Sequence, residues 1–154
     1  METSELANKD ETTIYPPWLH NFVEIYQSLG VNNLELLDQI YHPQVNFVDP
    51  AHEISGIANL RKYFNNLYTN LASCEFTIDN VFYQNKQAAI YWTMRYQHPK
   101  LNSGNTVTVE GHSTIQGTGE LVTYHRDYVD LGSMLYEQIP VLGRVIGYLK
   151  ARMN

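Results

Sequence analysis

The chain has 154 residues, 44% of them hydrophobic and 17% charged, with a formal net charge of −6. Such a length bounds one domain with one core, and the composition excludes a disordered chain. The acidic balance argues against a nucleic-acid partner, which would need a basic face.

A single cysteine, Cys74, leaves no intrachain disulfide and no cysteine-rich metal site, which fits a reducing, cytoplasmic setting. Residues 1–14 carry Glu2, Glu5, Lys9, Asp10 and Glu11, and read as a loose tail without the apolar centre of a secretory signal. No run of about 18 apolar residues is present, so no integral membrane segment is expected.

The first helix is expected after Pro16 and Pro17, with Trp18, Leu19, Phe22, Val23, Ile25, Tyr26 and Leu29 as its apolar stripe and Gly30 as its stop. A second helix, capped by Asn32 or Asn33, buries Leu34, Leu37, Ile40 and Tyr41 and ends at Pro43. The stretch Val45 to Gly56 (V-N-F-V-D-P-A-H-E-I-S-G) organises the rest. Val45, Phe47 and Asp49 alternate with Asn46 and Val48, so a carboxylate shares the apolar face of a strand that Pro50 terminates. A third helix follows Ser55-Gly56, carrying Ile57, Leu60, Phe64, Leu67 and Leu71.

From Cys74 the period falls to two. Cys74, Phe76 and Ile78 alternate with polar residues, and Gln84-Asn85-Lys86 reads as a turn. Strands over Gln87–Gln97, Asn105–Gln116 and Glu120–Val129 are joined by hairpins, which implies an antiparallel sheet. Ile90, Trp92, Met94 and Tyr96 share one side of the first of these. Asp130 then caps a final helix that Pro140, Gly143 and Gly147 kink or break. Its apolar stripe runs beside Arg144, Lys150 and Arg152; it reads as a lid or brace, with membrane-surface docking as the other possibility. Helices, a meander and a closing helix make an α+β chain.

This order resembles the nuclear transport factor 2-like superfamily, specifically its SnoaL-like and ketosteroid-isomerase-like branch. The motifs are Ile40-Tyr41-His42-Pro43, Val48-Asp49-Pro50 and Ile54-Ser55-Gly56. The resemblance implies a cone over residues 15–130: a curved antiparallel sheet around three helices, with an apolar pocket and a homodimer through the outer sheet face. Residues 131–154 would be a helical extension packed on the same domain. It also implies that Asp49 is the general base and that Tyr26 holds the oxyanion, with Tyr128 as a pocket wall. The second acid of such isomerases has no counterpart, since Gly111 or His112 stands in its place.

The residues themselves leave alternatives open. Asp49 either works as a base or bonds the backbone of its own turn; His52 either orients Asp49 or is solvated. Alternation puts Tyr124, Arg126 and Tyr128 on one face of the last strand and His125 and Asp127 on the other. If Tyr128 faces the pocket, Arg126 does too, as a substrate anchor or as a partner of Asp49. His112, taken together with His125, is expected on the outer face. No metal-binding pattern appears among the histidines, and no cofactor motif is present. The expectation is therefore a small-molecule pocket protein. In the catalytic form Asp49, Tyr26 and Arg126 act on an apolar carbonyl compound held by His52, Trp92 and Tyr128, as a cofactor-independent isomerase, cyclase or dehydratase. In the alternative the same fold is a non-catalytic apolar-ligand binder or a dimeric adaptor.

Overall fold

A computed structural model describes residues 14–153, so the expected loose tail lies almost wholly outside the described residues. Helix α1 (Pro17–Tyr26) starts at the paired prolines, where a missing N–H costs nothing, and buries Trp18, Leu19, Phe22 and Tyr26. After a short 3₁₀ turn, α2 is a single turn, Leu37–Ile40. Strand β1 begins immediately, spanning Tyr41–Val48. Pro43 therefore does not end a helix. It sits inside β1, where the ladder is interrupted between Tyr41 and Asn46 and no hydrogen bond is forfeited.

A short strand β2 (Glu53–Ser55) folds back on β1, and Gly56, at φ +85°, opens helix α3 (Ile57–Tyr68). Leu60, Phe64 and Tyr68 form the buried stripe of α3. Four long strands follow: β3 (Ser73–Gln84), β4 (Gln87–Gln97), β5 (Val107–Thr118) and β6 (Leu121–Val129). Asn85 and Lys86 take positive φ in the β3–β4 hairpin, the twist a two-residue turn requires.

The sheet order is β2-β1-β6-β5-β4-β3. The hairpins are antiparallel as expected, but β1 lies parallel to β6, with Phe47 opposite His125 and Val48 opposite Arg126. Pairing slips between Ile78 and Asn80 and between Gln116 and Gly117, the irregularities by which a sheet bends. The concave side carries the core, in which Leu19, Tyr41, Val45, Leu60, Ile90 and Ile115 are essentially inaccessible.

The C-terminal stretch breaks where proline and glycine predict. Helix α4 (Leu131–Met134) is capped by Asp130, whose carboxylate accepts from the Ser133 N–H at 3.1 Å. Tyr96 donates its hydroxyl to the Met134 carbonyl and ties α4 to the sheet. Helix α5 (Pro140–Ala151) buries no residue. Val141, Val145, Tyr148 and Leu149 lie exposed on it, so the covering role falls to α4 and the turn after it rather than to α5.

Candidate functional site

Between α1, α3, the concave sheet and α4 lies a cavity of about 260 Å³ with a predominantly apolar wall. One side is an aromatic run in which Tyr26 meets Phe76 at 5.0 Å between ring centroids and Phe76 meets Trp92 at 5.6 Å. A second run comes from β1 and α3: Phe47 packs on Tyr63 and Phe64, and Phe64 packs on Tyr68. Leu131, Met134, Leu135 and Tyr136 complete the lining from the C-terminal stretch. Two carboxylates, Asp49 and Asp127, reach this space.

Asp49 follows directly from the β1 alternation and is 15% exposed. Its Oδ1 accepts from the backbone N–H of Ala51 at 2.8 Å and of His52 at 2.7 Å, closing the turn that Pro50 begins. Its Oδ2 accepts the Tyr63 hydroxyl. Both oxygens are thus engaged. His52 is more than half exposed at the rim, with Nδ1 3.6 Å from the Asp49 carboxylate and 3.3 Å from the Tyr63 oxygen. Burial, and then the bond to Asp49, raise the pKa of Tyr63 far above that of a free phenol.

Asp127 is held differently. Its Oδ1 accepts from His125 Nε2 at 2.6 Å and from the Ser113 hydroxyl at 2.5 Å. Ser113 in turn accepts the Trp92 indole N–H at 2.8 Å. His125 is fully buried, and its Nδ1 lies 2.7 Å from the Tyr41 hydroxyl. Since a carboxylate can only accept, Nε2 carries the proton, and in the neutral imidazole Nδ1 takes the Tyr41 O–H. Burial keeps Tyr41 protonated by raising its pKa. The chain Tyr41–His125–Asp127–Ser113–Trp92 fixes one oxygen of Asp127, while Oδ2 has no partner among the described residues.

Tyr26 lines the cavity from α1, and its hydroxyl has no hydrogen-bond partner among the described residues. Its pKa is raised by burial first and by the Asp127 charge second, so the phenol stays protonated as a donor. Cys74 is buried beside Tyr68, its thiol pushed up to about 11 by burial, which suits a core residue rather than a nucleophile.

Of the six residues picked out from the sequence, Tyr26, Asp49, His52 and Trp92 meet at the cavity. Arg126 and Tyr128 do not. The last strand presents its other face inward, and Arg126 lies exposed outside with its guanidinium 5.0 Å from the Tyr128 ring centre. Arg126 forms no ion pair with Asp49; the two only border an open surface groove. His112 is outside, stacked between Tyr91 and Tyr128, whereas His125 is inside, so the two histidines occupy opposite faces. Asp127, His125, Ser113, Tyr63 and Tyr68 are not among the site residues expected from the sequence, which places His125 and Asp127 on the strand face opposite Tyr128. Gly111, one of the two positions expected for the missing second acid, has no room for a side chain: a Cβ there would stand 2.4 Å from the Trp92 ring. Among the described residues no three His, Cys, Asp or Glu side chains gather as metal ligands, and no helix is long and apolar enough to cross a membrane.

The family model of the SnoaL-like domain matches residues 22–130. The chain belongs to the SnoaL-like family. Solved structures agree with that fold. A ketosteroid isomerase-fold protein from Catenulispora acidiphila DSM 44928, in complex with trimethylamine, is 15% identical over 81% of this chain and 93% of its own, with a TM-score of 0.67. A protein provisionally named a SnoaL-like polyketide cyclase, from Jannaschia sp. CCS1, is 12% identical over 80% and 90%, with a TM-score of 0.66. TerC, co-crystallised with polyporic acid, is 15% identical over 76% and 92%, with a TM-score of 0.63. At these identities the likeness carries the fold alone. No curated protein matches the chain in sequence.

Proposed function

We propose that this SnoaL-like chain is a cofactor-independent isomerase or lyase that moves a proton next to a carbonyl in a small apolar compound. The observation that carries the reading is the asymmetric hold on Asp127. Two donors fix Oδ1, and Oδ2 is left uncommitted on a residue that lines an apolar cavity. A general base needs a rigid carboxylate with one free oxygen and little water around it.

In this reading Asp127 takes the proton from the carbon beside the carbonyl, and the C–H electron pair moves into an enolate. The Tyr26 hydroxyl, kept protonated by burial, donates to the enolate oxygen. Protonated Asp127 then returns the proton at another carbon, or the enolate expels a leaving group. Asp49 acts through the Tyr63 hydroxyl and shapes the far wall; His52 and Trp92 line the same space. A cavity of about 150 Å³ takes a benzene ring, so about 260 Å³ suits one or two rings rather than a four-ring steroid. The structurally similar proteins solved with trimethylamine and polyporic acid are in keeping with a small-molecule site.

The test is α-proton exchange of 2-tetralone in D₂O, followed by NMR. Catalysed exchange that Asp127→Asn abolishes supports the reading. Binding of the ketone without exchange above the buffer rate favours the alternative, a ligand-binding protein.

The homodimer is supported by a second observation. On the outer sheet face Phe82, Tyr91, His112 and Tyr128 form a continuous aromatic ladder, ended by Arg126. Tyr91 and Tyr128 are 45% and 43% exposed, a surface suited to a second copy. Tyr91→Asp, examined by light scattering, should yield a monomer; a wild type that is already monomeric ends this part.

A further inference from the structure

We propose that the molecule taken up by the cavity is cationic, a small tertiary or quaternary ammonium compound. This rests on the reading of the cavity as a small-molecule site and stands apart from the proposed reaction, since the occupant carries a charge that an apolar carbonyl compound lacks.

The first ground is charge balance. Asp49 and Asp127 both reach the cavity, and no lysine or arginine lines it. The hydrogen bonds that fix them come from backbone N–H groups, hydroxyls and the buried imidazole, which orient a carboxylate without cancelling its charge. Arg61 pairs with Asp38, Lys150 pairs with Glu137, and Arg126 lies on Tyr128 outside, while Lys62 lines the surface groove behind His52 and Tyr63 rather than the cavity. His52 is the one basic side chain at the rim, and it is more than half exposed. Two carboxylates bordering an apolar space without a countercharge are costly, and an anionic ligand would add to that cost. A cation offsets it.

The second ground is the wall. The rings of Tyr26, Phe76 and Trp92 on one run, and of Phe47, Tyr63 and Phe64 on the other, dominate the lining. Aromatic walls attract alkylammonium groups through the negative ring face, more strongly where water is excluded. The cavity field is negative enough to act on its own phenols, since the Asp127 charge adds to burial in holding Tyr26, Tyr63 and Tyr68 protonated. A quaternary ammonium asks for no hydrogen bonds. That suits Asp49, whose oxygens are already engaged but whose charge is not.

The experiment is a charge series on one shape: choline, its neutral isostere 3,3-dimethylbutan-1-ol, and the anion 3,3-dimethylbutanoate, titrated calorimetrically into the wild-type chain. Choline should bind about tenfold tighter than the alcohol, the scale of a desolvated cation–aromatic contact, and the butanoate most weakly. Asp49→Asn and Asp127→Asn should each weaken choline several-fold more than they change binding of the alcohol. The wild-type series decides the matter even if a variant folds poorly. Equal binding of choline and the alcohol, or tighter binding of the anion, overturns the charge assignment and leaves the small-molecule site standing. No binding of any of the three, with the Trp92 indole resonance unmoved at millimolar concentrations, overturns the cation assignment, while exchange of 2-tetralone decides the carbonyl reading separately.

Discussion

Asp127→Asn separates holding from working at the same position. The amide keeps the shape, and its oxygen can still accept from His125 Nε2 and from the Ser113 hydroxyl. What is lost is the charge. A hydrogen bond to a charged group contributes roughly 1.5–3 kcal/mol and a neutral one roughly 0.5–1.5, so each of the two bonds weakens by about 1 kcal/mol. Asp127 is only 18% exposed, so solvent screens little of this; relief of desolvation opposes it. The expected loss is about 2 kcal/mol. At about 2–4 °C per kcal/mol for a chain of this size, the melting temperature should fall by roughly 4–8 °C. The fold survives, and catalysis should not: removing a general base costs on the order of 10²–10⁴ in rate. The assay is 2-tetralone exchange in D₂O beside a thermal melt of the same preparation. Wild-type exchange in a folded Asp127→Asn would refute the assignment of the base, as would a selective loss of exchange in Asp49→Asn instead.

Other expected outcomes follow from single contacts. Asp49→Asn should cost about 2 kcal/mol, because two charge-assisted turn bonds become neutral while Tyr63 rotates to accept from the new amide; a loss of 3–5 kcal/mol, the mark of a broken buried ion pair, would mean a cationic partner had been overlooked. Gly111→Ala should lower the melting temperature by several degrees, since the new methyl overlaps a Trp92 ring pinned through Ser113; an unchanged melt would show that the indole can give way. Alkali should unfold the chain cooperatively. Tyr26, Tyr41 and Tyr68 have folded pKa values raised by burial, so their contribution is whole below the unfolded value near 10 and is lost as pH climbs above it. Three such groups remove about 4 kcal/mol per pH unit, so beyond the ionisation of exposed tyrosines such as Tyr91, Tyr128 and Tyr148 a last fraction of tyrosinate absorbance should rise in one step together with loss of circular dichroism. Ionisation of every tyrosine in a chain still folded at pH 12 would contradict that.

Much of the fold was legible because the four strands of the meander are long and alternate, apart from two slips. The β4 face of Ile90, Trp92, Met94 and Tyr96 was read correctly, and the hairpin ends fall within about two residues of those expected. The second helix was over-extended for a local reason. Tyr41 is buried whether it ends a helix or begins a strand, and Pro43 looks like a helix stop unless the gap in the β1–β6 ladder is known. Such a gap is a tertiary fact, and no periodicity encodes it. Tyr63 escaped notice because it lies one position before Phe64, off the three-and-four stripe of α3, and matters only once Asp49 folds over it.

The misreading of β6 has a sharper cause. A period of two fixes which residues share a face and says nothing about which face is inside. Tyr124, Arg126 and Tyr128 carry more apolar surface than His125 and Asp127, so burial by hydrophobicity alone chooses the wrong side. Register decides otherwise: the β5–β6 pairing sets His125 opposite Ile115 and Asp127 opposite Ser113, on the face where Ile115 and Ser113 are buried. Burying His125 and Asp127 is tolerable only because Tyr41 and Ser113 satisfy them from two other strands, with Trp92 bonding Ser113 in turn. The same accounting distinguishes the two acids. Asp49 draws the eye in the sequence because Pro50 follows it, yet that proline makes the tight turn whose N–H groups occupy the carboxylate. Asp127 lies inside β6, two residues before its end, where its backbone neighbours are committed to the β5 ladder and cannot turn back to it. It must find donors on side chains, and those donors reach only one of its oxygens. A carboxylate at the end of a strand is disposed to be consumed by its turn; one within a paired stretch of an inward face keeps an oxygen for whatever enters the cavity.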